Sequence, residues 1–139
     1  MFKKILLPLD LTDRHHPAIA TAANLARSSR GELVLLHVIE IIPGLGVEEE
    51  RDFYARLEKR ARLHFGRLTE SLKKQNIPWQ EAILFGNRVA VIVQYARENG
   101  VDLIVLTSPR FDPNQLSTGW GSLSYKVGIL APCPVLLVK

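Results

Sequence analysis

Apolar residues fall along this chain in two rhythms. Short unbroken runs occur at Lys3 to Leu9 (KKILLPL), Glu32 to Ile39 (ELVLLHVI), Asp102 to Thr107 (DLIVLT) and Val135 to Val138 (VLLV), and none of them shows a polar face. Runs of this length and composition suit strands buried on both sides. Trp79 to Phe85 differs: Gln80 and Glu81 interrupt it, which predicts a half-exposed strand at a sheet edge.

Between these runs the spacing is helical. Ile19, Ala22, Ala23 and Ala26 share one face, with Thr12 and Asp13 as candidate N-caps and Gly31 as the stop. The small alanines would let that helix sit close to a sheet. From Glu48 onward Phe53, Leu57, Ala61, His64 or Phe65, Leu68 and Leu72 mark an amphipathic helix of about six or seven turns, ended by Asn76 and Pro78. Asn87 is placed to cap a third helix through Val89, Ile92, Val93 and Ala96, closed by Gly100. A fourth starts near Gly121-Ser122 and carries Leu123, Val127 and Leu130 on one face. Ile41 to Gly46 and Ser108 to Trp120 read as loops.

Strand and helix alternate to the end, which predicts an α/β fold: a five-stranded, mostly parallel, doubly wound sheet with helices on both faces. Residues 1–139 form a single domain with no repeat or linker. In such sheets ligands sit beyond the carboxyl ends of the strands, where the winding reverses. The first strand, normally central, ends at Asp10, and the fourth ends at Thr107 and Ser108. Asp10 and the loop from 107 to 122 would then face one crevice. The free N–H groups of the last helix, with the Ser122 hydroxyl, suit an anion such as phosphate. Asp10 has two readings that do not exclude each other, a ligand contact and a cap on the following turn. Ser122 is equally a plain N-cap.

Composition narrows this picture. The 139 residues carry 47% hydrophobic positions, a net charge of +4 and one cysteine. A core of that size needs no disulfide or metal. The densest basic stretch, Arg51, Arg56, Lys59, Arg60, Arg62 and Arg67, is broken by Asp52 and Glu58 and reads as a solvated helix face rather than a nucleic-acid surface. The apolar run after Lys3-Lys4 is too short for a secretion signal or a membrane span, so a cytoplasmic protein without membrane attachment is expected. His15 and His16 point about 100° apart on a helix and make poor joint metal ligands. His37 reads as a core or subunit-contact residue, His64 lies on the long helix, and no spacing suggests a metal site. Cys133, between two prolines, reads as structural, and there is neither a nucleophile elbow nor a full P-loop.

Over its whole length the chain resembles the universal stress protein family. The resemblance rests on Ile5-Leu6-Leu7-Pro8-Leu9-Asp10, on Leu35-Leu36-His37-Val38, and on Gly86-Asn87 followed by Ile92, Tyr95-Ala96 and Gly100 to Val105. The most specific part is Gly121-Ser122-Leu123-Ser124, Val127 and Ala131-Pro132-Cys133-Pro134-Val135-Leu136-Leu137-Val138. It implies a homodimer through the last strand, Val135 to Val138. Some members bind ATP or AMP through a glycine pattern, Gly, two residues, Gly, nine residues, Gly, then Ser or Thr. Counted back from Gly121, the first two glycines are replaced by Ser108 and Phe111.

A ring at 111 fills space that a phosphate would need, and Pro109 removes a donor from the same loop. The phosphate cradle is therefore expected to be lost or reshaped. Arg110 is a candidate phosphate contact or a solvated loop residue, and Trp120 a loop aromatic. By resemblance, Pro8, Asp10 and Val38 would meet the adenine, Thr107 would lie against the nucleotide, and Gly121, Ser122, Leu123 and Ser124 would meet ribose and phosphates. The expectation is a non-enzymatic stress-response homodimer with weak, altered or absent binding of ATP (with magnesium) or AMP. Two alternatives stand beside it. One is an ATP-binding switch with slow hydrolysis or autophosphorylation at Ser122 or Ser124. The other is a protein-interaction module acting through the 107–122 loop.

Overall fold

The computed structural model describes residues 1–108 and 122–139. Five strands, β1 (Lys4–Pro8), β2 (Glu32–Ile39), β3 (Trp79–Phe85), β4 (Leu103–Thr107) and β5 (Val135–Val138), form one sheet in the order β3-β2-β1-β4-β5, every pair parallel. Four α-helices, α1 (His16–Ser29), α2 (Arg51–Lys74), α3 (Arg88–Glu98) and α4 (Leu123–Leu130), connect them. The fold is the doubly wound α/β sheet that the alternating pattern predicts, with β1 central and β4 beside it.

Successive residues of a strand face opposite sides, and the core divides accordingly. Ile5, Leu7, Leu33, Leu35, Leu103 and Val105 pack with α1 and α2 through Ala22, Ala26, Phe65 and Leu72. Leu6, Val34, Leu36, Ile104 and Leu106 pack on the other side with Ile92 and Ala96 of α3 and Val127 of α4. β1 is held to β4 by an additional latch. The Asp102 carboxylate accepts the Lys3 amide at 2.8 Å and the Lys4 amide at 3.1 Å. The basic residues of α2 from Arg51 to Arg67 are exposed, as a solvated face requires.

Local details depart from the sequence reading. Neither Thr12 nor Asp13 caps α1. Thr12 precedes a single 3-10 turn, Asp13–His15, makes no side-chain cap bond, and α1 begins only at His16 with Pro17 in its first turn. The Thr12 hydroxyl is drawn instead to Asp10. Gly31 does not carry the left-handed turn that ends α1; Arg30 does, at φ 53°. Gly31 is required for space, because a Cβ there would lie 2.4 Å from the Phe2 carbonyl oxygen. Asn87 and Ser122 do cap their helices, accepting from the amides of Ala90 and Tyr125.

Candidate functional site

The cleft lies where the winding reverses, at the carboxyl ends of β1 and β4. β1 pairs with β2 through Pro8, but with β4 in register only at Ile5 and Leu6. The amide of Leu9 donates to Leu36 of β2 at 2.8 Å. Amides alternate sides along a strand, so the N–H that Pro8 lacks would have faced β4. The proline thus ends the β1–β4 ladder, and beyond it the two strands part. Pro8, Asp10, Arg14, His15, His37, Val38, Arg88, Thr107 and Leu123 are among the residues lining the resulting cleft.

His15 spans the gap. Its Nε2 is 2.8 Å from Asp10 Oδ1 and its Nδ1 is 2.7 Å from Thr107 Oγ1. The main-chain amide of Asp10 donates to the same nitrogen at 3.1 Å, so His15 Nε2 meets both a donor and a carboxylate oxygen of one residue. Nδ1 and the Thr107 hydroxyl share a hydrogen bond across the gap. Asp10 is otherwise fully engaged: Oδ1 also accepts from the amide and hydroxyl of Thr12, and Oδ2 accepts from Arg14 at 3.0 and 2.8 Å. Across the cleft, His37 Nδ1 donates to the Leu9 carbonyl at 2.8 Å, which leaves Nε2 as an acceptor.

Burial pushes His15 below the ordinary histidine range, more strongly than Asp10 pulls it up. Burial does the same to His37 against the Leu9 carbonyl. For Asp10, burial pushes the carboxyl up, but the two bonds from Thr12 together with His15 outweigh it and hold it well below the usual carboxylate range. Both histidines are therefore neutral at pH 7. Below their ordinary value the unfolded chain takes up protons that the folded chain refuses. Their contribution to stability is complete above pH 6.5 and is lost as the pH falls through their folded values. The Asp10 contribution is complete above 3.8 and is lost at still lower pH. We expect the melting temperature to fall between about pH 7.5 and about pH 5, and His15→Gln to flatten that slope; a slope unchanged in the variant would show that His15 does not carry it.

Of the residues singled out in the sequence, Pro8, Asp10, Val38, Thr107 and Leu123 are brought together in the cleft. Ser108 is not: it is buried, its amide donates to the Val138 carbonyl at 2.7 Å, and its hydroxyl accepts from Lys139 at 3.1 Å. Ser122 caps α4, and Ser124 is buried on that helix. Pro109, Arg110, Phe111, Trp120 and Gly121 lie outside the described residues. His37, expected in the core or at a subunit contact, lines the cleft instead. The sequence reading missed Arg14, Arg88 and above all the role of His15. The signal was available: a histidine five residues after Asp10, one turn into the segment that leaves β1. Among the described residues no group of His, Cys, Asp or Glu could hold a metal ion, and no helix is long and apolar enough to cross a membrane.

An open parallel sheet with a cleft at its winding reversal defines the class of doubly wound α/β folds. Comparison with known proteins makes this specific. The model of the universal stress protein family matches residues 1–139, and the chain belongs to that family. A universal stress protein of Thermus aquaticus is 34% identical over 142 residues, covering 100% of both chains. Among solved structures, UspA from Lactobacillus plantarum superposes with a TM-score of 0.79 at 22% identity, covering 99% of this chain and 98% of that one. The universal stress protein from Archaeoglobus fulgidus in complex with dAMP gives 0.74 at 19% identity, with 99% and 98% covered. Both share the fold.

Proposed function

We propose that this chain is a regulatory adenine-nucleotide receptor of weak affinity, whose cleft takes the base more firmly than the phosphates. The observation that carries this reading is the cleft itself. It sits at the winding reversal, is walled by apolar Pro8, Val38, Leu106 and Leu123, and offers His37 Nε2 as an acceptor for an exocyclic amine. The dAMP complex of a protein of the same fold supports the ligand class. The weak phosphate grip follows from β4. The Ser108 amide, which begins the loop where a phosphate would be cradled, is already spent on β5. Asp10 is likewise committed to Thr12, Arg14 and His15.

Titration calorimetry with AMP and with ATP plus magnesium tests this. The two are expected to bind within about tenfold of each other, about 1.4 kcal/mol. Tight, magnesium-dependent ATP binding that AMP does not share would overturn the reading, as would binding of neither at millimolar concentration.

The functional unit we propose is a homodimer paired through β5. The two edges of the sheet are treated differently. β3 carries exposed Gln80 and Glu81, polar groups that discourage further pairing, whereas β5 is apolar throughout. Ile129 and Leu130 of α4 and Leu136 and Leu137 of β5 are also exposed, and exposed apolar residues in such number favour an interface.

A further inference from the structure

The outer face of α2 carries a pattern that neither the core nor the cleft explains. Asp52, Arg56, Lys59, Leu63, Arg67, Glu70 and Lys74 follow one another at spacings of four, three, four, four, three and four residues. At about 100° per residue such a stripe stays within an arc of about 80°, and all seven side chains are exposed. The spacing reads the same from either end. Its centre is Leu63, 62% exposed and beside the midpoint of the helix. We propose that this face pairs with the same face of a second copy of the chain, the two α2 helices running antiparallel about a two-fold axis at Leu63. The contact is separate from the β5 pairing and does not rest on the nucleotide reading.

The charges select the occupant and its direction. Across such an axis, a residue a given distance before Leu63 meets the residue the same distance after it in the other copy. Asp52 then meets the partner's Lys74, and Arg56 meets the partner's Glu70. Leu63 meets the partner's Leu63, which removes apolar surface from water on both copies. Lys59 opposite the partner's Arg67 is the one like-charged combination, and both are long side chains whose heads can part into water. A parallel arrangement would set each charge against its own kind, so it is disfavoured at every charged position.

The stripe is also unpaired within its own chain. The ion pair of α2 among the described residues, Arg62 with Glu58 at 2.8 Å, lies on another flank of the helix. Asp52 and Arg56 stand four residues apart, as do Glu70 and Lys74, the spacing of an intrahelical ion pair. Neither combination forms one, nor do Lys59 and Arg67 pair elsewhere among the described residues. These charges are therefore available to a second molecule. A contact about 33 Å long and about 10 Å wide covers roughly 700 Å² on the two copies together. That is the size of a transient encounter, so self-association through α2 is expected only at high protein concentration.

The experiment uses the full chain in a Cys133→Ser background, so that the native thiol does not contribute. Leu63→Cys should give disulfide-linked pairs on mild oxidation, because the axis brings the new thiol against its own copy. Ala55→Cys, exposed on a different flank of α2, should not link. Arg56→Glu and Glu70→Arg, added singly to Leu63→Cys, should each suppress the link, and the two together should restore it. Sedimentation equilibrium up to millimolar concentration, with Leu136→Glu and Leu137→Glu present to remove association through β5, should show the same order. Each single reversal is expected to raise the dissociation constant roughly tenfold, and added salt should weaken the contact in the chain with the native α2 charges. Linking at Leu63→Cys no faster than at Ala55→Cys would overturn the proposal, as would a paired reversal that fails to restore what the single ones remove. Retention of the native chain by duplex DNA or by anionic vesicles, lost in Arg67→Glu and without self-association, would assign the face to that partner and likewise overturn it.

Discussion

Replacing Phe65 with alanine should cost about 3–5 kcal/mol of folding stability. The ring is 0% exposed and lies between α2 and the sheet, in the cluster with Ile5, Leu7, Leu35 and Leu72. Two effects add. The ring's transfer energy is lost, and the cavity left behind cannot close, because its walls belong to a hydrogen-bonded sheet and a helix of 24 residues. Single domains are stable by only about 5–15 kcal/mol, so the loss is a large fraction of the whole. In urea, where stability falls by about 1–3 kcal/mol per molar, the midpoint should drop by roughly 1–5 M. Leu63→Ala on the same helix provides the contrast. Leu63 is 62% exposed, and its truncation should stay within about 0.5 kcal/mol. Equal losses at the two positions would show that α2 does not bury the face described here.

The second large effect concerns assembly. If the proposed β5 dimer forms, Leu136→Glu combined with Leu137→Glu should convert it to a monomer at micromolar concentration, read by sedimentation equilibrium. Leu136 and Leu137 are 37% and 42% exposed in the single chain, so both sides of β5 remain open. Glutamates there leave the β4–β5 ladder intact, because that ladder is made by main-chain groups. They do place carboxylates where pairing would remove water, which costs several kcal/mol for each unpaired charge. A native chain that sediments as a monomer would overturn the proposed assembly, and a double variant that remains dimeric would move the interface away from β5.

The architecture was legible because it rests on periodicity. ELVLLHVI and DLIVLT can be read only as strands buried on both faces, and the Gln80-Glu81 interruption placed β3 at an edge, where it lies. Boundaries near β1 were harder. Thr12 and Asp13 have good capping chemistry, but Asp10 competes for the Thr12 hydroxyl and amide, so the chain turns once before α1 begins. Gly31 was recognisable as special, yet for the wrong reason: crowding by the main chain at Phe2 and Lys3 leaves no local trace in sequence. The site was half legible. Topology alone brought Asp10 and Thr107 to one crevice. The link between them could not be read, since Thr107 and His15 are 92 positions apart and meet only because β1 and β4 are neighbours. His15 looked like one of a histidine pair, and its partner His16 drew attention to metals.

The Asp102 latch bears on how this chain is born. Its carboxylate binds amides 98 and 99 positions earlier, beside the strand pairing that makes β1 central. During synthesis β1 leaves the ribosome first and can join β2 as soon as that strand emerges. Its other edge must wait for β4. At translation speeds of about 5–20 residues per second, that interval is roughly 5–20 s. For that time the nascent chain carries the apolar central strand with one side unclosed. The central strand is therefore the segment a holding chaperone would meet, and weakening the latch by Asp102→Asn should lengthen that exposure.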